Sequence, residues 1–329
     1  MSPLPDYVSD HGHGEISYQV PLAIDGVTCF AFALHANHNA LQALVDSQLN
    51  AAPQGTVRYE VVGHSALLTF LAAEHCTSAT ETVGFLSDRE AAFWLLLIER
   101  QANGQTRLVY WIPYLLIDAM SGMVTGREVW GYRKSLGTID LPTVPADPAQ
   151  FVASTVVFNS FSAATRGENA ALVTVRGPGA IGPLEPVWQD LDATFHAVEA
   201  MIKEEFSEFD MADWLNALTV AEGLARLVAT RLVPVINLKQ FRDVRDSTKA
   251  CYQAIVECPC ELVRLGGAGP LPGDFTARIL TCASHPIVAD LGLGAPVAGG
   301  ITELPVRFAF WVKMDFQTLA GNVIWQAAT

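Results

Sequence analysis

Apolar and polar positions alternate through most of the first 135 residues, and the alternation is interrupted by Gly, Asn and Asp. The runs "EISYQVPLAI", "GVTCFAFAL", "TVRYEVVG", "SALLTFLA", "AAFWLLLIER", "TRLVYWIPYLLID" and "REVWGYRK" are rich in β-branched and aromatic residues and read as strands. Asn103-Gly104, between two of them, predicts a tight hairpin. "NALQALVDSQLN" (39–50) has its apolar residues at helical spacing and predicts an early helix.

The periodicity changes in the middle of the chain. "PVWQDLDATFHAVEAMIKEEF" and "DMADWLNALTVAEGLARLVATRL" carry apolar residues three and four apart, as amphipathic helices do. Strands resume with "VPVINLKQF", "ACYQAIVECPCELVRL", "FTARILTCA" and "VRFAFWVKMDF". This order predicts a mainly β protein of α+β class. Residues 1–329 are expected to form a single domain with a mainly antiparallel β core and a helical insertion near 185–232. "GPGAIGP" (177–183) and "GGAGPLPGD" (266–274) do not run from a strand into a helix as a phosphate loop does, so they read as loops.

Half of the 329 residues are hydrophobic and 16% are charged, enough to bury a sizeable core. A formal charge of −14 argues against nucleic-acid or anionic-membrane partners. No apolar run approaches the ~20 residues of a membrane helix, and the start of the chain lacks the features of a secretory signal. A cytoplasmic protein is expected. Six scattered cysteines read as reduced, buried thiols, and Cys258-Pro-Cys260 lacks the further ligands of a metal site.

The candidate chemistry lies in "GREVWGYRKSLG" (126–137). Read as a strand, this segment puts Lys134 on one face with Tyr132, Trp130 and Glu128, and turns Arg127, Arg133 and Ser135 to the other. If the aromatic face is interior, burial lowers the lysine pKa. A shift of about four units would leave most of the amine neutral at pH 7, at a cost of roughly 5 kcal/mol. A neutral amine forms imines with ketones, and the iminium withdraws electrons from neighbouring carbons. The alternative is a lysine that snorkels its charge to water.

The same residues resemble the signature of the acetoacetate decarboxylase family. Gly126, Arg127 and Glu128 match its opening, and Lys134 falls on the lysine of its Schiff base. "PYLLIDAMSGMVT", "HANHNALQALVDSQLN", "INLKQFRD", "GDFTARIL" and "HPIVADL" are similar to other segments of that family, more weakly. The resemblance implies its β-barrel type of fold. It also implies a Schiff-base lyase acting on a small-molecule β-keto acid, without metal or organic cofactor, in a homo-oligomer. Such a lysine is activated by a hydrophobic pocket or a nearby cation.

The resemblance further implies a glutamate that moves protons, for which Glu90 and Glu99 are candidates. Glu90 is favoured because it precedes the apolar run. Trp130, Tyr132, Arg127 and Glu128 would line or frame the pocket. Three features depart from the family. Ser135 replaces a second lysine, Arg133 replaces a proline, and His35 or a neighbour stands where an early arginine is expected. Two other readings therefore stay open: an aldolase or dehydratase using the same lysine, and a binding protein without chemistry. The helical insertion would be an oligomer contact or a lid.

Overall fold

The computed structural model describes residues 4–8, 17–53, 55–144, 148–190, 192–194, 196–197, 200 and 213–327. The alternating segments form β1 (Leu22–His35), β2 (Val57–Val61), β3 (Ser65–Ser78), β4 (Leu86–Gln101) and β5 (Thr106–Ile117). Next come β6 (Lys134–Leu136), β7 (Thr138–Asp140), β8 (Pro148–Val157), β9 (Glu168–Ala180) and β10 (Leu232–Arg242). The last five are β11 (Ala250–Pro270), β12 (Thr276–Leu280), β13 (Ile301–Pro305), β14 (Phe308–Thr318) and β15 (Asn322–Gln326). Helices with described bounds are α1 (His38–Val45), α2 (Met120–Thr125), α3 (Asp213–Thr230) and α4 (Ile287–Asp290).

In the larger sheet the order β4-β3-β1-β14-β11-β10-β5 returns to β4 through a β4–β5 pairing, so these strands close a ring. The ring is antiparallel except where β10 runs parallel to β5. β6 adds to β5 in parallel, opposing Leu115 to Lys134. A second sheet, β13-β12-β9-β8-β7, lies on the outside. Between the two sheets Phe30, Phe32, Phe70, Phe151 and Phe275 make the main core, with several ring centroids 5.0–5.4 Å apart.

Both faces of the ring strands are apolar for a physical reason. One face meets the second sheet, and the other meets the ring's own interior. On β4, Ala91, Phe93, Leu95 and Leu97 belong to the outer core, while Ala92 and Trp94 face inward with Leu22, Ile24, Val27, Ile112 and Cys258. Breaks in register keep this sorting intact. The irregularity between Ile24 and Val27 switches the parity of β1, and that between Ala73 and Cys76 does the same for β3.

The predicted hairpin at Asn103-Gly104 joins β4 to β5, with Gly104 at φ +84°. The early helix is α1, capped by the Asn37 side chain and continued by one wider turn through Asn50. Of the two predicted middle helices the second is α3, whereas 201–212 lie outside the described residues. α3 lays Val220 and Leu224 on Val62, Ile98 and Leu108. Ile98 continues the inward face of β4, eight residues beyond Glu90, or roughly 25 Å along the strand. The helix therefore closes the ring's far end and does not cover Lys134.

Two expectations need correction. "GGAGPLPGD" is not wholly a loop: β11 runs on to Pro270, because glycines there admit close neighbours. A Cβ on Gly269 would lie 3.2 Å from Trp311 Nε1, and one on Gly267 2.8 Å from Pro186. "GPGAIGP" likewise begins inside β9. Secondly, "GREVW" is helical rather than extended. Gly126–Trp130 extends α2, and the strand starts only at Lys134.

Candidate active site

The helical turn ends at Gly131, whose φ of +77° is left-handed. The Gly131 and Tyr132 N–H groups donate back to the carbonyls of Arg127 (3.2 Å) and Gly126 (3.1 Å). A Cβ at 131 would sit 2.5 Å from the Lys239 Cα, so the turn also lies hard against β10. This geometry drops Trp130, Tyr132 and Lys134 into the ring, which strand alternation alone would also have done. It breaks the alternation for Glu128, which is exposed and not beside the lysine. Arg127 is exposed too, and its guanidinium donates to the Lys134 carbonyl at 3.0 Å.

Lys134 lies inside the ring with 11% of its side chain exposed. Its Nζ donates to Glu90 Oε1 at 2.6 Å, and Glu90 is 22% exposed. The ammonium also stands 5.7 Å from the centre of the Tyr132 ring, which packs edge-on to Trp130. Trp130 is fixed by its indole N–H, which donates to the Leu319 carbonyl at 2.9 Å. The stem of the lysine rests on Gly126, where a Cβ would come within 2.9 Å of Cε. The opening glycine of the segment thus makes room for the lysine.

Asp88, absent from the sequence reading, shares the inward face of β4 with Glu90, as i and i−2 must. It is buried, contacts the Cys76 thiol (3.5 Å), and reaches Lys134 and Glu90 electrostatically. Burial, then the Glu90 charge, push its pKa up to about 6. The Asp-x-Glu spacing within "SDRE" was the available signal. Thiols complete the surroundings: burial raises Cys29 to about 12 and pushes Cys76 up as well.

The expectation that burial would depress the Lys134 pKa is overturned. Desolvation is the largest influence and does act downward, but Glu90 and Asp88 outweigh it and hold the amine above its ordinary value. At rest the group is an ion-paired ammonium.

The remaining candidates separate. Glu99 is fully buried and held by Arg107 (2.7 Å) and the Tyr59 hydroxyl (3.1 Å), in a structural network that includes Glu257. His35 lines a different cleft with His64 and Arg307, so it does not occupy an arginine's place beside Lys134. Arg133 is turned away to Gln48 (2.7 Å). Of the cysteines, Cys251 is exposed, contrary to the reading of buried thiols. His11 and His13 lie outside the described residues. Among the described residues no cluster of three or more His, Cys, Asp or Glu could hold a metal, and no helix is long and apolar enough to cross a membrane.

No family model and no curated protein matches this sequence. Solved structures do match in shape. The acetoacetate decarboxylase of Legionella pneumophila subsp. pneumophila str. Philadelphia 1 superposes with a TM-score of 0.57 at 14% identity, covering 98% of this chain and 91% of its own. A second acetoacetate decarboxylase structure gives 0.56 at 12% identity, covering 98% and 97%. An acetoacetate decarboxylase-like enzyme from Sphingomonas wittichii RW1 gives 0.56 at 11%, covering 95% and 96%. Over nearly its whole length, this chain has the acetoacetate decarboxylase-like fold.

Proposed function

We propose that the protein is a Schiff-base lyase acting on a small β-keto acid. The observation that carries this reading is the Lys134–Glu90 pair at 2.6 Å, enclosed in the ring beside Trp130 and Tyr132. The shared fold supports it. Lys134 passes a proton to Glu90 and attacks the ketone carbon. Glu90 returns that proton as the carbinolamine loses water, leaving a protonated iminium. The bond to the carboxylate then breaks, carbon dioxide leaves, and its electron pair moves into the iminium to give a neutral enamine. One proton, taken up from solvent, is delivered to the enamine carbon by Glu90, with Asp88 as a neighbouring store. Hydrolysis frees the ketone and restores the ammonium.

One observation favours the aldol or dehydration alternative. Among the described residues two carboxylates and no second cation act on Lys134, so an anionic substrate meets unfavourable charge there. An uncharged carbonyl partner does not. Sodium borohydride reduction with acetoacetate, pyruvate or acetone tests the common step, since a covalent mass must appear on the peptide holding Lys134. No adduct with any of them, or an equal adduct in Lys134→Arg, removes the imine reading and leaves a binding protein. Carbon dioxide release from acetoacetate then separates decarboxylase from aldolase.

A further inference from the structure

On the far side of the segment that carries Lys134, a cleft of about 740 Å³ opens between the Gly131 turn and the β10–β11 hairpin. Its size falls within the roughly 300–1,000 Å³ of small-molecule sites. Arg127, Arg133, Arg242 and Lys249 line it, and no aspartate or glutamate does. That gathers four of the chain's 20 lysines and arginines into one recess of a protein with 34 acidic residues.

Among the described residues none of these four side chains forms a salt bridge. Arg127 donates to the Lys134 carbonyl and Arg133 to the Gln48 amide oxygen. Arg242 donates to the Ser247 carbonyl, again an uncharged oxygen. In the hairpin turn Asp243 is paired with Arg245 at 2.9 Å, while Asp246 accepts from the Thr248 hydroxyl at 2.6 Å and keeps its charge. Trp111 and Phe241 provide apolar wall, while Gln253 and His285 add polar groups. Burial lowers the His285 pKa, which disfavours a charge on that ring.

Like charges gathered in a concave, partly apolar recess repel one another and focus a positive potential. An anion with several charges relieves that repulsion, and guanidinium forks match carboxylate and phosphate oxygens in pairs. We propose that this cleft binds a small molecule bearing two or more carboxylate or phosphate charges, at a site separate from the ring interior. It does not depend on imine chemistry at Lys134, which faces the other way. Through Arg127, however, an occupant touches the group that holds the Lys134 carbonyl.

Titration calorimetry of the full chain with citrate and with inorganic pyrophosphate, at fixed physiological ionic strength, tests the site. One equivalent binds, and Arg133→Ala or the double variant Arg242→Ala/Lys249→Ala each weakens binding about tenfold or more. Arg166→Ala, an exposed arginine outside the cleft, and Lys134→Ala both leave it unchanged. Binding of citrate alone identifies a carboxylate ligand, and of pyrophosphate alone a phosphate ligand. The proposal is overturned if neither probe binds, or if the Arg166 variant weakens binding as much as the cleft variants do. Arg133, Arg166, Arg242 and Lys249 are exposed and Lys134 is enclosed in the ring, so circular dichroism of each variant checks that the fold is intact.

Discussion

Replacing Glu90 with glutamine separates two effects that the ion pair combines. Opposite unit charges 2.6 Å apart attract by about 6 kcal/mol at an effective dielectric near 20. That attraction, with a contribution from Asp88, is what keeps the buried Lys134 amine protonated against desolvation. In Glu90→Gln the desolvation remains and most of the opposition is gone, so the amine loses its proton more readily. A tenfold change in an ionisation constant needs about 1.4 kcal/mol. If only a quarter of the Coulomb attraction is the net difference, the neutral fraction at pH 7 rises about tenfold. The pH midpoint of borohydride trapping with acetone should therefore fall by about one unit in the variant. Turnover should fall about 10²–10⁴-fold for loss of a proton-transfer group. A trapping midpoint that stays the same or rises would refute the claim that Glu90 sets the charge state of Lys134.

Other outcomes follow from the same geometry. Asp88→Asn should stabilise the protein at pH 7 by up to about 3 kcal/mol, because the folded state raises this carboxyl from 3.8 to about 6. The sign follows from proton binding. The folded state binds this proton more tightly, so stability falls as pH rises from about 4 to about 6, and denaturant melts across that window should flatten in the variant. Gly126→Ala puts a methyl group within 2.9 Å of Lys134 Cε, so it should slow trapping and also lower stability in urea unfolding, because displacing the stem disturbs the buried Lys134–Glu90 pair. Glu99→Gln should act on stability alone: it breaks a buried pair with Arg107, costs about 3 kcal/mol or more in urea unfolding, and leaves the pH dependence of trapping untouched.

What was legible in the sequence divides along one physical line. Alternation reports which residues occupy one side of a strand, so the ring strands, the hairpin at Asn103-Gly104 and the common inward direction of Trp130, Tyr132 and Lys134 could be read from it. It does not report what faces that side across the ring. Lys134 and Glu90 are 44 residues apart and meet only because β6 joins β5, which pairs with β4. The same closure brings Asp88, two residues from Glu90, under the lysine, and this reverses the sign of the expected pKa shift. A one-strand argument sees burial alone, and burial pushes an amine down. Only the closed ring supplies the two carboxylates that push it up. The helical turn at Gly126–Trp130 was hidden for a related reason. Its aromatic and β-branched residues favour strand locally, and the helix is fixed instead by the left-handed Gly131 and its close approach to Lys239 on β10. The cationic cleft was equally invisible, since Arg133 and Arg242 lie more than a hundred residues apart and each alone reads as an ordinary surface arginine. Charge state at the lysine and charge clustering behind it are therefore both products of ring closure. That is why a test of Lys134 must vary its neighbours across the ring and not the lysine alone.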